Sequence, residues 1–307
     1  MTQRPAPKGV YSAVATPVTP DFKPDLPRLV AHCRWLLANG CDGLAPLGTT
    51  GEANSLSLSD RTSLIAGLAE AGLPMERVIF GTGSTSLGDT VTVSRAALDA
   101  GANGLLMLPP FYYRHAGEDG LFAYYSHVAE RLLPRKPRIF LYHIPQMSMV
   151  SITVTLAARL REAFPGVFVG IKDSGGDFSH TRSFIREFDD FEAFSGSEPL
   201  AVSNLAAGGW GCISATTNVS APLVAERLGA RDAGDQAGLD DQIERVRTII
   251  ANADTVSGTK SVLARLRRDP EWSRTIPPNM SLDSATTDAI MGQLAACRDL
   301  YRDFSRI

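Results

Sequence analysis

What the chain has little of narrows its reading first. Cysteine is sparse: Cys33, Cys41, Cys212 and Cys297 stand far apart with no C-x-x-C spacing, which excludes a zinc ribbon or a disulfide framework and leaves buried free thiols in a reducing compartment. No apolar run reaches the roughly 18 residues that a membrane span needs. The opening Met-Thr-Gln-Arg-Pro-Ala-Pro lacks the apolar stretch of a secretory signal. A cytoplasmic protein, away from membranes, is expected. His32, His115, His127, His143 and His180 form neither H-x-H nor H-E-x-x-H, so no metal is expected. Lysine and arginine do not cluster with aromatics, and the formal net charge is only -3, which argues against nucleic acid as a partner. With 44% apolar and 21% charged residues over 307 positions, the composition is that of a globular protein with a sizeable core.

What is present is an alternation. Strand patterns over residues 10–18, 43–47, 77–83, 104–109 and 138–144 are each followed by a helical pattern, over 26–39, 59–71, 86–100, 119–133 and 153–164. A sixth strand ends near Lys172, a seventh covers 191–197 with a short helix from Glu198, and an eighth covers 211–217 with a helix from Ala221. Eight such units predict an α/β fold, a parallel (β/α)8 TIM barrel. The barrel accounts for residues 1–228; residues 229–307 carry helical periodicity over 232–253, 258–268 and 281–304 without strands, and predict a helical appendage packed on the barrel.

The stretch Val167-Phe168-Val169-Gly170-Ile171-Lys172-Asp173-Ser174 sets a lysine at the mouth of a core strand. Burial there disfavours the ammonium and would lower its pKa from about 10.4, leaving an amine able to attack a carbonyl carbon. The structural alternative is a lysine whose stem covers apolar surface with its head in water. In a barrel, chemistry collects at the carboxyl ends of the strands. That rule brings Lys172 together with Tyr142 at the end of strand five, Gly48-Thr49-Thr50-Gly51-Glu52 after strand two, and Phe111-Tyr112-Tyr113 after strand four. Tyr142 with Thr49 offers a hydroxyl pair that could move protons to and from an imine. The Gly-Thr-Thr-Gly-Glu loop offers amides and hydroxyls for a carboxylate, although Thr49-x-x-Glu52 also reads as a capping box. Gly208-Gly209 precedes strand eight, falls at the opposite end, and is set aside.

These motifs, with Ala15-Thr16-Pro17, Pro109-Pro110-Phe111-Tyr112-Tyr113, Tyr142-His143-Ile144-Pro145, Gly170-Ile171-Lys172-Asp173 and Gly211-Cys212-Ile213-Ser214, resemble the dihydrodipicolinate synthase/N-acetylneuraminate lyase family in order and approximate spacing over essentially the whole chain. The resemblance implies that Lys172 holds pyruvate as a Schiff base, Tyr142 transfers protons, Thr49 relays them, and Thr50 binds the pyruvate carboxylate. It implies that Tyr112 is lent to the site by a neighbouring subunit, with Tyr113 an alternative, and that Gly48, Gly196 and Ile213 belong to the substrate pocket. A homo-oligomer, dimer or tetramer, follows in the same way. No cofactor beyond the covalent lysine imine is implied.

Departures bear on the second substrate. Met147 occupies the place where dihydrodipicolinate synthases carry an arginine for aspartate semialdehyde, and a thioether cannot replace a guanidinium fork. Leu58 and Arg61 stand where the family's lysine-feedback site has histidines, and His143 stands where asparagine is common. The expectation is a pyruvate-dependent class I aldolase or lyase acting on a 2-keto-3-deoxy acid or a related aldehyde. Its rivals are an authentic 4-hydroxy-tetrahydrodipicolinate synthase, a catalytically silent keto-acid-binding barrel, and a metal-dependent aldolase.

Overall fold

The computed structural model describes residues 5–230 and 232–297. Eight strands, β1 (Gly9–Ser12), β2 (Gly43–Leu44), β3 (Ile79–Gly81), β4 (Gly104–Met107), β5 (Ile139–His143), β6 (Phe168–Asp173), β7 (Glu192–Ser195) and β8 (Gly211–Ser214), pair in parallel in the order β2-β1-β8-β7-β6-β5-β4-β3. A single parallel bridge, Leu44 to Val78, joins the two edges and all but closes the barrel. The helices are α1 (Leu26–Ala38), α2 (Leu58–Glu70), α3 (Leu87–Asp99), α4 (Glu118–Leu132), α5 (Pro145–Ser148), α6 (Val154–Ala163), α7 (Phe178–Glu187), α8 (Ala201–Ala206), α9 (Thr217–Gly229), α10 (Ala233–Asn252), α11 (Thr255–Leu266) and α12 (Ser284–Leu294). No helix among the described residues is long and apolar enough to cross a membrane.

The expected alternation is present, with shorter strands. The first ends at Ser12, not at residue 18: the Ala13 and Val14 amides still donate to Ser214 and Ala45, but the ladder goes no further, and Pro17 has no N–H to donate. The second stops at Leu44, since Pro46 and the left-handed Leu47 (φ 59°) cannot continue a ladder. Helix starts were better marked. Ser57, Ser86 and Thr153 each accept a hydrogen bond from an amide three residues on, and each such cap is worth about 1 kcal/mol. Helix α9 begins four residues before the expected Ala221 and carries Pro222 in its interior. The short α5 was not anticipated, and the part of the last expected helix beyond residue 297 lies outside the described residues.

Side-chain parity sorts the core into two layers. Tyr11, Ala45, Ile79, Leu106, Phe140, Phe194 and Ile213 fill the barrel interior, while Val10, Phe80, Leu105, Leu141, Ile171 and Cys212 pack outward against the helices. Strand β6 breaks the alternation. Ile139 pairs with Phe168 but Phe140 pairs with Gly170, so β6 holds one extra residue there. The bulge reverses parity: Phe168 faces the helices and Val169 the interior, then Ile171 faces the helices and Lys172 the interior. Only glycine fits at 170, since a Cβ would lie 2.3 Å from the Glu192 carbonyl oxygen and 2.7 Å from the Phe140 ring.

The helices beyond Gly229 are fastened by charge. Arg28 pairs with Asp269 at 2.6 Å, and Arg267 donates to Nδ1 of buried His32 at 2.7 Å. Burial and the Arg267 cation push His32 down to about 3, so it is neutral and its Nε2 donates to Asn218 at 2.9 Å. Deepest is the pair between Glu52 and Lys260 at 2.5 Å, both side chains fully buried. The other Glu52 oxygen accepts from the Ile276 amide at 2.7 Å and Asn279 at 3.2 Å. These bonds hold Glu52 in a left-handed conformation (φ 53°) that a residue with a Cβ adopts only under constraint. Replacing Lys260 by Met should strand the Glu52 carboxylate and cost about 3–5 kcal/mol in urea unfolding, while adding Glu52→Gln should recover part of the loss. Equal stability of the wild type and the single variant would show that the pair anchors nothing.

Candidate active site

The inward turn of Lys172 aims its amine at the neighbouring strand. The ladder sets Lys172 beside Tyr142, the amine donates to the phenol oxygen at 3.2 Å, and it lies 4.5 Å from the ring centroid. Thr49, on the loop after β2, lies 3.4 Å from the same phenol oxygen. Both Lys172 and Tyr142 are almost wholly buried. Burial by itself would raise the Tyr142 pKa, but the Lys172 charge and hydrogen bonds from Thr49, Lys172 and Ser174 outweigh it and hold the phenol below its ordinary 10.0. A phenol so poised gives up its proton more readily than a free tyrosine.

These groups close one end of a cavity of about 250 Å3 at the carboxyl ends of the strands. Thr49, Thr50, Ser174 and Gly196 line the end nearest the amine. Gly196 admits no side chain, because a Cβ would meet Ser174 Oγ at 2.1 Å. The cavity is lined further by Gln146 and Met147 of the β5 loop, Thr216 after β8, and Arg247, Asp254 and Thr255 of the C-terminal helices. Arg247 donates through Nη1 to Glu198 at 2.8 Å and to Ser214 at 3.1 Å, and Thr216 donates to the other Glu198 oxygen.

On the outward side of the same two strand ends lie His143 and Asp173, the next rung of the ladder, with His180 of α7 above them. Their ligand atoms fall within 4.8 Å of one another, as a metal site requires. Hydrogen bonds commit them otherwise. The Ile152 amide donates to His143 Nδ1 at 3.1 Å, so neutral His143 carries its proton on Nε2, the nitrogen that faces Asp173. His180 donates from Nε2 to the Ile152 carbonyl at 3.0 Å and from Nδ1 to Asp173 at 2.8 Å. Each ring nitrogen thus already faces a protein partner.

The order of these elements along the chain is that of known proteins. A model of the dihydrodipicolinate synthetase family matches residues 6–294. The chain belongs to that family. An uncharacterized DapA-like lyase of Chloroflexus aurantiacus is 34% identical over 273 residues, covering 88% of this chain and 91% of that protein. The crystal structure of dihydrodipicolinate synthase from Agrobacterium tumefaciens superposes with a TM-score of 0.87 at 30% identity, covering 95% of this chain and 99% of the other. YagE of Escherichia coli K12, a family member solved in complex with pyruvate, gives a TM-score of 0.84 at 26% identity, covering 94% and 99%. The protein is a lyase of the dihydrodipicolinate synthase type on the eight-stranded barrel that the sequence predicts.

Within the family pattern, Lys172, Tyr142, Thr49, Thr50 and Gly196 meet in one cavity; Gly48 precedes the two threonines in the loop and is not among the residues that line it. Ile213 does not line the cavity. It points into the barrel interior and packs in the layer beneath, with Tyr142 and Phe194. Tyr112 and Tyr113 lie on the surface, 75% and 62% exposed and edge-to-face with each other, outside this chain's cavity. Sequence reasoning missed Ser174, Gln146, Thr216 and the tail residues Arg247, Asp254 and Thr255. The first three follow strand ends and were open to the carboxyl-end rule; Arg247 sits on a helix where an arginine looks like any other surface charge. Removing the cation with Lys172→Met should make the Tyr142 phenol ionise at higher pH than in the wild type. The difference in phenolate absorbance between each protein and its Tyr142→Phe counterpart checks this, and an unmoved midpoint would mean the amine does not tune the phenol.

Proposed function

We propose that Lys172 attacks C2 of pyruvate as a free amine, with Tyr142 as the proton carrier and Thr49 as its relay. The phenol protonates the carbinolamine oxygen, which leaves as water, and the nitrogen lone pair closes the iminium. That cation makes C3 acidic. Loss of a C3 proton gives an enamine whose C3 forms a carbon–carbon bond to an aldehyde, and the same steps in reverse cleave a 2-keto-3-deoxy acid. Water then releases the product and restores the amine. The lysine is thus its own electron sink, and no separate cofactor enters the proposal. The loop at Thr49 and Thr50 supplies the amide and hydroxyl that hold the pyruvate carboxylate. The observation that carries the reading is the 3.2 Å contact of amine and phenol in a closed cavity end.

The acceptor is read from the rest of the lining. Met147 is 63% exposed and offers no charge, whereas Arg247 reaches the cavity from α10 with a guanidinium only part of which is used by Glu198 and Ser214. This favours an acceptor with an acidic or polyhydroxylated far end over one recognised, as aspartate semialdehyde is in the synthases, by an arginine at position 147. The exposed aromatic loop at Tyr112 supports assembly with a second copy that borrows the phenol, in a dimer or tetramer. Four buried free cysteines fit residence in the cytoplasm.

Borohydride added with pyruvate should fix a pyruvate-derived mass on the Lys172 peptide, and Tyr142→Phe should keep pyruvate binding while losing ~10²-fold or more in rate. An unmodified Lys172 would remove the mechanism. Among 2-keto-3-deoxy acids, aspartate semialdehyde and sialic acid, Arg247→Met should raise KM about tenfold for acid-ended acceptors and less for neutral ones, the scale of one hydrogen bond to a charge. A uniform effect across the panel would rule out Arg247 as the selector.

A further inference from the structure

The two rungs that end β5 and β6 carry two different pairs. Tyr142 and Lys172 face the cavity; His143 and Asp173, one residue on, face α7. The outer pair belongs to a closed circuit. Asp173 accepts from His180 Nδ1 and from Thr181, each at 2.8 Å, and from the Gly175 amide at 2.9 Å. His180 Nε2 donates to the Ile152 carbonyl, and the Ile152 amide returns to His143, whose ring stacks on His180 with centroids 4.1 Å apart. Strands β5 and β6, helix α7 and the segment before α6 therefore converge on one imidazole.

We propose that His180 is a positioning residue for the Schiff-base chemistry: bonded through both ring N–H groups to Asp173 and the Ile152 carbonyl, it holds the ends of β5 and β6 in the register that sets Lys172 against Tyr142. The inference rests on the reading of Lys172 and Tyr142 given above. Both partners of His180 are acceptors only, a carboxylate and a carbonyl, so the circuit is complete only when the ring is an imidazolium. A neutral ring turns a lone pair toward one of them, and one bond becomes a repulsion.

Titratable neighbours favour the cation. The Asp173 hydrogen bond raises the His180 pKa above its ordinary 6.5 against the opposing effect of burial, helped by the Asp173 charge, the Ile152 carbonyl and Asp177 at the start of α7. Burial holds His143 below 6.5, with the His180 cation adding to it and Asp173 opposing. Burial would raise Asp173, but His180, Gly175 and Thr181 hold it below its ordinary 3.8. The signs follow by linkage. The His180 contribution is full below 6.5 and is lost as pH rises through its raised pKa; that of Asp173 is present above 3.8 and is lost as pH falls through its lowered one. The amine–phenol register is held best between the two.

The test uses pyruvate alone. Deuterium exchange into its methyl group reports iminium and enamine formation with no acceptor present. In the wild type, exchange should slow as pH rises through the midpoint of the His180 ring followed by NMR in the same protein. His180→Gln, which keeps one donor and cannot titrate, should exchange about tenfold or more slowly and lack that limb, with half-saturating pyruvate less affected than rate. An unchanged limb in His180→Gln, or a wild-type limb that does not follow the His180 midpoint, overturns the inference. Should the variant not fold, the wild-type comparison decides alone. Borohydride separates the two levels: an adduct at Lys172 with exchange indifferent to His180 sinks only this inference, whereas no adduct and no exchange at any pH sinks the Schiff-base reading and this inference with it.

Discussion

One extra residue in the sixth strand governs the rest of the site. Strict alternation would send the side chain at 172 toward the helices, because Phe168 already faces them and every second residue would follow. The irregularity between the first two rungs of β5 and β6 resets the count, so that Ile171 takes the outward place and Lys172 the inward one. The glycine at 170 is what makes the reset physically possible, with a backbone carbonyl and an aromatic ring where its side chain would be. Lysine and phenol then share a dry strand end, where the lysine's charge lowers the phenol's proton affinity more strongly than it could in water.

Three buried carboxylates at the carboxyl ends of the strands are each paired, and two of the pairs, Glu52 with Lys260 and Glu198 with Arg247, join parts of the chain far apart in sequence. Glu52 with Lys260, Glu198 with Arg247 and Asp173 with His180 each set one near-inaccessible carboxylate against a basic side chain from a helix. Such pairs contribute little net stability against well-packed apolar residues, yet each accepts only one geometry. They surround the cavity in the places where an error of an ångström matters most to a reaction.

Much of this was legible in the sequence because it rests on local signals. Period-two and period-3.6 patterns marked the eight units, and the carboxyl-end rule brought Lys172, Tyr142 and Thr49 together. What escaped is tertiary. No local pattern distinguishes a bulged strand from a regular one, so Lys172 was placed at a strand mouth without the reason it turns inward. Ile213 follows family spacing and has the inward parity of Tyr142, but it packs in the interior cluster and is not among the residues that line the cavity, a matter of height along the barrel that sequence does not show. Lys260 and Arg247 lie on amphipathic helices that read as an accessory; only the folded chain shows one of them locking the Thr49 loop and the other walling the substrate cleft.

That lock has a bearing on how the protein is made. The loop that carries Thr49 and Thr50 leaves the ribosome early, but its Glu52 finds its partners only at Lys260, Ile276 and Asn279, more than 200 residues later. Until those have emerged, the carboxylate has nothing to neutralise it and the left-handed turn has nothing to hold it. A nascent barrel with all eight strands already translated is therefore still without a fixed turn at Glu52, which waits for the helices that follow β8.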